Sequence, residues 1–163
     1  MYAVTKLVDQ PCADPIPDDQ RAFIFDPRSD NFQNNSFSAI HKGEIAFTSA
    51  PTGSGKTRIE YYAIAHHVRN GTVAVATPIK ALSNQKYDDC GPFLDELKKQ
   101  TGIEASLGIM TGDHKMNPDA DIIIMTTEIL KNSLGQIDMF KQTKEKHLAP
   151  TFIDRLQCVI FDE

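Results

Sequence analysis

The stretch "APTGSGKT", Ala50 to Thr57, follows the apolar run "EIAFTSA" (44–50) and opens a segment of helical texture, 56–69. Its pattern is that of a phosphate loop, G-x-x-x-x-G-K-[ST], with Ala50 standing where the first glycine would be. Gly53 and Gly55 permit backbone angles closed to other residues. The N–H groups of Thr52, Gly53, Ser54, Gly55, Lys56 and Thr57 can therefore turn inward on phosphate oxygens. The helix that begins near Lys56 adds its positive N-terminal end. Lys56 has the reach for the β- and γ-phosphates of ATP, and Thr57 offers a hydroxyl to Mg²⁺. A glycine-rich turn that merely contains a lysine is the bland alternative. The strand-loop-helix context argues against it.

A site of this kind needs an acid at the end of a neighbouring buried strand to hold Mg²⁺. The sequence supplies one in "VIFDE" (159–163), where Asp162 would emerge at the carboxyl edge of a sheet, the edge at which open α/β sheets bind ligands. Glu163 is the candidate general base for the attacking water. Successive strand residues point to opposite faces, so two adjacent acids suit different tasks. The catalytic candidates are thus Lys56, Asp162 and Glu163, with Thr57 and Asp162 on the metal.

Around these motifs, short apolar runs alternate with helical segments. "GTVAVATP" (71–78), "EASLGIMT" (104–111), "ADIIIMTT" (120–127) and "LQCVIFDE" (156–163) join 44–50 as expected strands. Helices are expected near 56–69, 80–89, 92–100 and 127–134, and a polar surface excursion over 135–155. The run "IIIM" lacks polar alternation, as a strand covered on both faces should. Alternating strands and helices predict a three-layer α/β sandwich with a mostly parallel sheet. Residues 1–30 carry Pro11, Pro15, Pro17 and Pro27 among acids and read as loop or extended chain.

Composition sets the outer limits. The 163 residues are 40% hydrophobic and 24% charged, as in a globular domain, and the formal net charge of −5 argues against a grip on nucleic acid by bulk charge alone, though not against a local basic surface. Cys12, Cys90 and Cys158 form no C-x-x-C pair, which disfavours a zinc site and points to a reduced intracellular setting. No apolar run has the length to cross a bilayer, so no membrane role is expected.

The intervening motifs narrow the class. "TPIKALSNQKY" (77–87), "MTGD" (110–113) and "MTTEIL" (125–130) each sit where a strand gives way to a turn or helix. In this order, with a phosphate loop and an acidic box, they resemble the motifs of superfamily-two helicases, whose loop reads A-x-x-G-x-G-K-T and so accommodates Ala50. More closely, "TPIKALSNQK", "NPDADIIIMTTEIL" and "VIFDE" resemble the superkiller/exosome-associated DExH-box RNA helicases, often named antiviral helicases. "FIFDPRSDNFQNNSF" (23–37) with "AIHKGE" (39–44) matches that family's aromatic–glutamine stretch, although "FDPRSDNFQ" is three residues longer before the Phe-Gln pair.

The resemblance implies a RecA-like P-loop NTPase fold, with 23–163 as a first helicase lobe, incomplete at its C-terminus, and 1–22 as an N-terminal extension. It implies that Phe32 stacks near the adenine and Gln33 bonds its edge. It makes Pro78, Lys80, Ala81, Thr111, Gly112, Thr126 and Thr127 contacts to an RNA backbone, which needs hydroxyls and amides more than lysines. Single-stranded RNA, or a duplex with an overhang, is the implied substrate. The exosome and adaptor proteins are the implied partners, in cytoplasm or nucleus. In the family, the acidic box continues by two residues, a further strand lies between the acidic-box and phosphate-loop strands, and a second lobe supplies arginines. The chain is accordingly expected to be the amino-terminal part of a longer ATP-dependent RNA helicase. A superfamily-two DNA helicase is one alternative; a non-catalytic nucleotide-binding module ending at Glu163 is the other.

Overall fold

In "TVAVAT" every residue is buried, and β1 (Thr72–Thr77) accordingly runs between two neighbours. It pairs in parallel with β4 (Ile122–Thr126) on one side and β5 (Leu156–Phe161) on the other. Beyond β4 lies β2 (Leu107–Met110), also parallel, and then the short antiparallel β3 (Lys115–Met116), giving the order β3-β2-β4-β1-β5. This is the mostly parallel α/β sheet expected from the sequence. The computed structural model describes residues 10–143 and 151–162, and the chain divides into two compact units, 1–66 and 67–163. All five strands belong to the second unit.

Helices cover both faces of that sheet. On one, Ala74, Ala76, Ile123 and Met125 pack with Leu130 of α4 (Thr127–Thr143) and with Phe152 of the 3₁₀ segment Thr151–Arg155. By strand alternation, Val73, Val75 and Thr77 face the other way. There the Thr77 hydroxyl lies 2.6 Å from that of Ser83 on α3 (Lys80–Thr101). Each fully buried isoleucine in β4 contributes about 1.5–3 kcal/mol of apolar burial, which makes this strand a main source of the unit's cohesion.

In the first unit, α1 (Asn31–His41) buries Gln33, Ser36, Phe37 and Ile40, one face at helical spacing. Phe37 stacks on Tyr62 of α2 (Thr57–His67) at 4.2 Å between ring centroids, and Phe25 stacks on Phe37 at 5.7 Å. Residues before Phe23 are tied to α1. Ser38 donates to the Asp14 carbonyl at 3.0 Å, Lys42 pairs with Asp14 at 2.7 Å, and Arg21 donates to Asn34 at 3.2 Å.

Four expectations change. The expected strand 44–50 forms no ladder with any described strand, because no described residue supplies the hydrogen-bonding neighbour a strand requires; Ile45 and Phe47 are exposed. The helices expected at 80–89 and 92–100 are one helix that passes through Pro92. An interior proline costs about 3 kcal/mol, and the buried stripe of Cys90, Phe93 and Leu97 offsets it. The helix expected to end at 134 continues to Thr143. The supposed surface excursion contains Phe152, which is completely buried. No helix among the described residues is long and apolar enough to cross a membrane. All three cysteines are free, and burial pushes the Cys158 thiol up to about 11.

Phe152→Ala should cost about 3–5 kcal/mol by emptying the α4-side core. Urea denaturation would show this as a lowered midpoint at unchanged slope; an unchanged midpoint would place Phe152 outside the core.

Candidate nucleotide and nucleic-acid site

The phosphate-loop sequence dictates its own backbone. Gly53 and Gly55 adopt φ of +81° and +85°, the left-handed region that favours glycine, and α2 begins directly after them at Thr57. Lys56 Nζ donates to the carbonyls of Ala50 at 2.6 Å and Pro51 at 3.1 Å, so the ammonium closes the loop on itself. Ser54 Oγ is buried and has no hydrogen-bond partner among the described residues. An orphaned hydroxyl beside a loop of this conformation suits a phosphate oxygen, and the residues therefore fit a nucleoside triphosphate.

Gln33 braces this loop. Its Oε1 accepts from the Asp30 N–H at 2.9 Å, completing a capping box at the start of α1. Its Nε2 donates to the Gly55 carbonyl at 3.1 Å and approaches the Ser54 carbonyl at 3.5 Å. The side chain is almost wholly buried, and a Cβ on Gly55 would lie 2.6 Å from Gln33 Nε2. The sequence pattern marks Gln33 but gives no sign of this contact, because it depends on α1 meeting the loop. Phe32, one residue earlier, is half-buried. Arg58 lies over the Phe25 ring at 5.5 Å and donates to the Pro27 carbonyl at 2.9 Å, which fastens the lengthened "FDPRSD" turn.

In the second unit, three motif turns converge at the carboxyl ends of β2, β4 and β1, which are neighbours in the sheet. Pro78, Lys80 and Ala81 are exposed at the N-terminus of α3, and Lys80 forms an ion pair with Asp113 of "MTGD". That ammonium holds the Asp113 carboxyl below its ordinary range. Thr111 is buried, its N–H bonded to the His114 carbonyl at 2.8 Å, while Gly112 beside it is exposed. Thr127 begins α4, and its hydroxyl donates to the Thr77 carbonyl at 3.1 Å, joining "MTTEIL" to "TPIK"; Thr126 is half-buried. Asp113, to which the motif alone assigns no role, is the acid that links two of these turns.

Asp162 stands one residue past β5, where its N–H donates to the Ala76 carbonyl at 3.0 Å and its carboxylate meets Lys86 at 2.5 Å. Glu163, the candidate base, lies outside the described residues. Among the described residues no three histidine, cysteine or acidic side chains gather as a metal cluster. Magnesium needs none, since it takes one or two carboxylates with phosphate and water.

Residues 30–163 match the family model for the DEAD/DEAH box helicases, and the chain belongs to that family. It is 38% identical over 149 residues to the antiviral helicase SKI2 of Saccharomyces cerevisiae, covering 91% of this chain and 10% of that protein. It is 42% identical over 113 residues to the ATP-dependent RNA helicase mtr4 of Schizosaccharomyces pombe, covering 69% of this chain and 9% of that one. The chain thus spans about a tenth of the length of these relatives. The crystal structure of the DUF1998 helicase MrfA bound to DNA and AMPPNP resembles it with a TM-score of 0.69 at 20% identity, over 94% of this chain and 22% of that one. That likeness establishes the fold, an α/β architecture matching a RecA-like lobe.

Gly55→Ala should cost about 1–2 kcal/mol from its left-handed φ alone. Combining it with Gln33→Ala removes the clash but not the backbone strain. Denaturation of both variants tests this: full recovery in the double variant would show that the loop tolerates a side chain at that φ.

Proposed function

We propose that the chain is the ATP-binding lobe of an ATP-dependent RNA helicase, with 23–163 as its first RecA-like lobe and 1–22 as an extension. The observation that carries this reading is the phosphate loop, in which left-handed Gly53 and Gly55 frame a buried Ser54 hydroxyl that has no hydrogen-bond partner among the described residues. In this proposal Thr52 to Thr57 surround the ATP phosphates through backbone N–H groups and Phe32 covers the base; Gln33 reaches the base's edge only by releasing the Gly55 carbonyl that its Nε2 holds here. Lys56 exchanges the Ala50 and Pro51 carbonyls for phosphate oxygens, which keeps the ammonium partnered in both states. Thr57 and Asp162 would hold Mg²⁺, and Glu163 would accept a proton from the attacking water. Bound Mg²⁺ supplies charge neutralisation on the β- and γ-phosphoryl oxygens.

Pro78, Lys80, Ala81, Thr111, Gly112, Thr126 and Thr127 are assigned to the RNA backbone. Support comes from the convergence of their three turns on one sheet edge through Lys80–Asp113 and Thr127–Thr77. The choice of RNA rests on relatives named as RNA helicases, mtr4 among them. An intracellular setting, with an exosome and adaptor proteins as partners, is carried over from the motif resemblance alone.

In the full-length protein, Lys56→Ala should lower RNA-stimulated ATP hydrolysis by at least about 100-fold, the scale of losing one charged transition-state donor. Phosphate release assays with matched RNA and DNA strands test both halves. Hydrolysis that survives the substitution overturns the assignment of that activity to this loop; stimulation by DNA alone overturns the choice of RNA.

A further inference from the structure

The face of α3 that meets the sheet is a stripe at alternating spacings of three and four residues: Ser83, Lys86, Cys90, Phe93 and Leu97. Four of these are buried, and the fifth is a lysine. A lysine within a core stripe requires a reason, since an ammonium withdrawn from water without a partner is costly. Its partner is Asp162: Nζ lies 2.5 Å from Oδ2, with side-chain exposures of 15% for Lys86 and 22% for Asp162.

Both ends of this pair are fixed by the backbone. The β1–β5 register matches Ala74 with Val159, Val75 with Ile160 and Ala76 with Phe161, so the next step sets Thr77 beside Asp162. Alternation then directs Asp162 to the face that carries Thr77, the face of α3. The Asp162 N–H extends the ladder by one bond to the Ala76 carbonyl at 3.0 Å. On the helix, the Ser83 hydroxyl is fixed at 2.6 Å from that of Thr77, one turn before Lys86. Neither side chain needs to search for the other.

We infer that Lys86 is a positioning residue for the metal-binding acid. It holds the Asp162 carboxylate by Oδ2, leaves Oδ1 for an outside ligand, and balances the carboxylate's charge when no divalent ion is bound. The inference rests on the reading of Asp162 as the Mg²⁺ acid. A fixed positive charge a few ångströms from the carboxylate weakens nucleotide-independent capture of a divalent ion. Stable occupancy is thereby reserved for the state in which phosphate oxygens add their own negative charge.

The test uses Mn²⁺ as probe with the full-length protein, free Mn²⁺ being followed by electron paramagnetic resonance with and without ATP. Lys86→Met should tighten nucleotide-free Mn²⁺ binding by at least about threefold, and Lys86→Arg should return it to the wild-type value. Lys86→Gln, smaller and polar, gives the same comparison should the methionine variant not fold. Unchanged or weaker Mn²⁺ binding in a folded charge-removing variant overturns the inference and leaves the pair a purely structural one. Asp162→Asn separates the two levels. If it leaves Mn²⁺ binding untouched, the metal-acid reading itself fails; if it abolishes binding while Lys86 variants change nothing, only the role of Lys86 fails.

Discussion

Strand β1 must satisfy every backbone group without water, and that requirement organises the second unit. All six residues, Thr72–Thr77, are buried, so each N–H and carbonyl has to be met within the fold, chiefly by the flanking strands β4 and β5. Parallel pairing on both sides fixes the registers, and the registers fix which strand ends lie together. Thr77 is matched with Thr126 on one side and sits a single step past the Ala76–Phe161 pair on the other. The turn that starts α3, the turn that starts α4 and the acid that follows β5 are neighbours for this reason. A buried ladder thus turns three distant stretches of sequence into one polar edge on an apolar base.

The first unit is organised by a different device, a single amide with two roles. Gln33 accepts from the start of its own helix and donates to the loop twenty-two residues on. An isolated glycine-rich loop would sample many conformations. Here the Gly55 carbonyl is held by a side chain that is itself locked by helix capping. Stiffness enters the loop from outside it, and the absence of a Cβ at Gly55 is what allows the approach.

Features that depend on local chemistry were legible in the sequence. The loop at 50–57 declares its glycines, lysine and threonine, and the unbroken apolar runs at 72–77 and 122–126 announce a doubly covered sheet. Features that depend on a distant partner were not. Residues 44–50 have strand-like composition, yet strand formation is a property of pairs, and composition does not reveal whether a neighbour is present. Pro92 reads as a helix break when weighed locally; only the packing of Cys90, Phe93 and Leu97 on one face shows why the helix continues. Phe152 lies amid polar residues, and the core it joins is built from side chains of β1, β2, β4 and α4. Lys86 was visible as a residue, while its opposition to Asp162 follows from strand register.

The segment at 44–50 also bears on how the molecule behaves in concentrated solution. Ile45 and Phe47 are 80% and 86% exposed, and the backbone beside them forms no ladder with any described strand. Apolar side chains next to open main-chain donors and acceptors are the ingredients of edge-to-edge pairing between molecules. With a net charge of only −5, electrostatic repulsion between copies is modest. Colloidal behaviour should then depend on whether something lies along this one short segment: covered, it becomes an interior strand; bare, it is an adhesive edge.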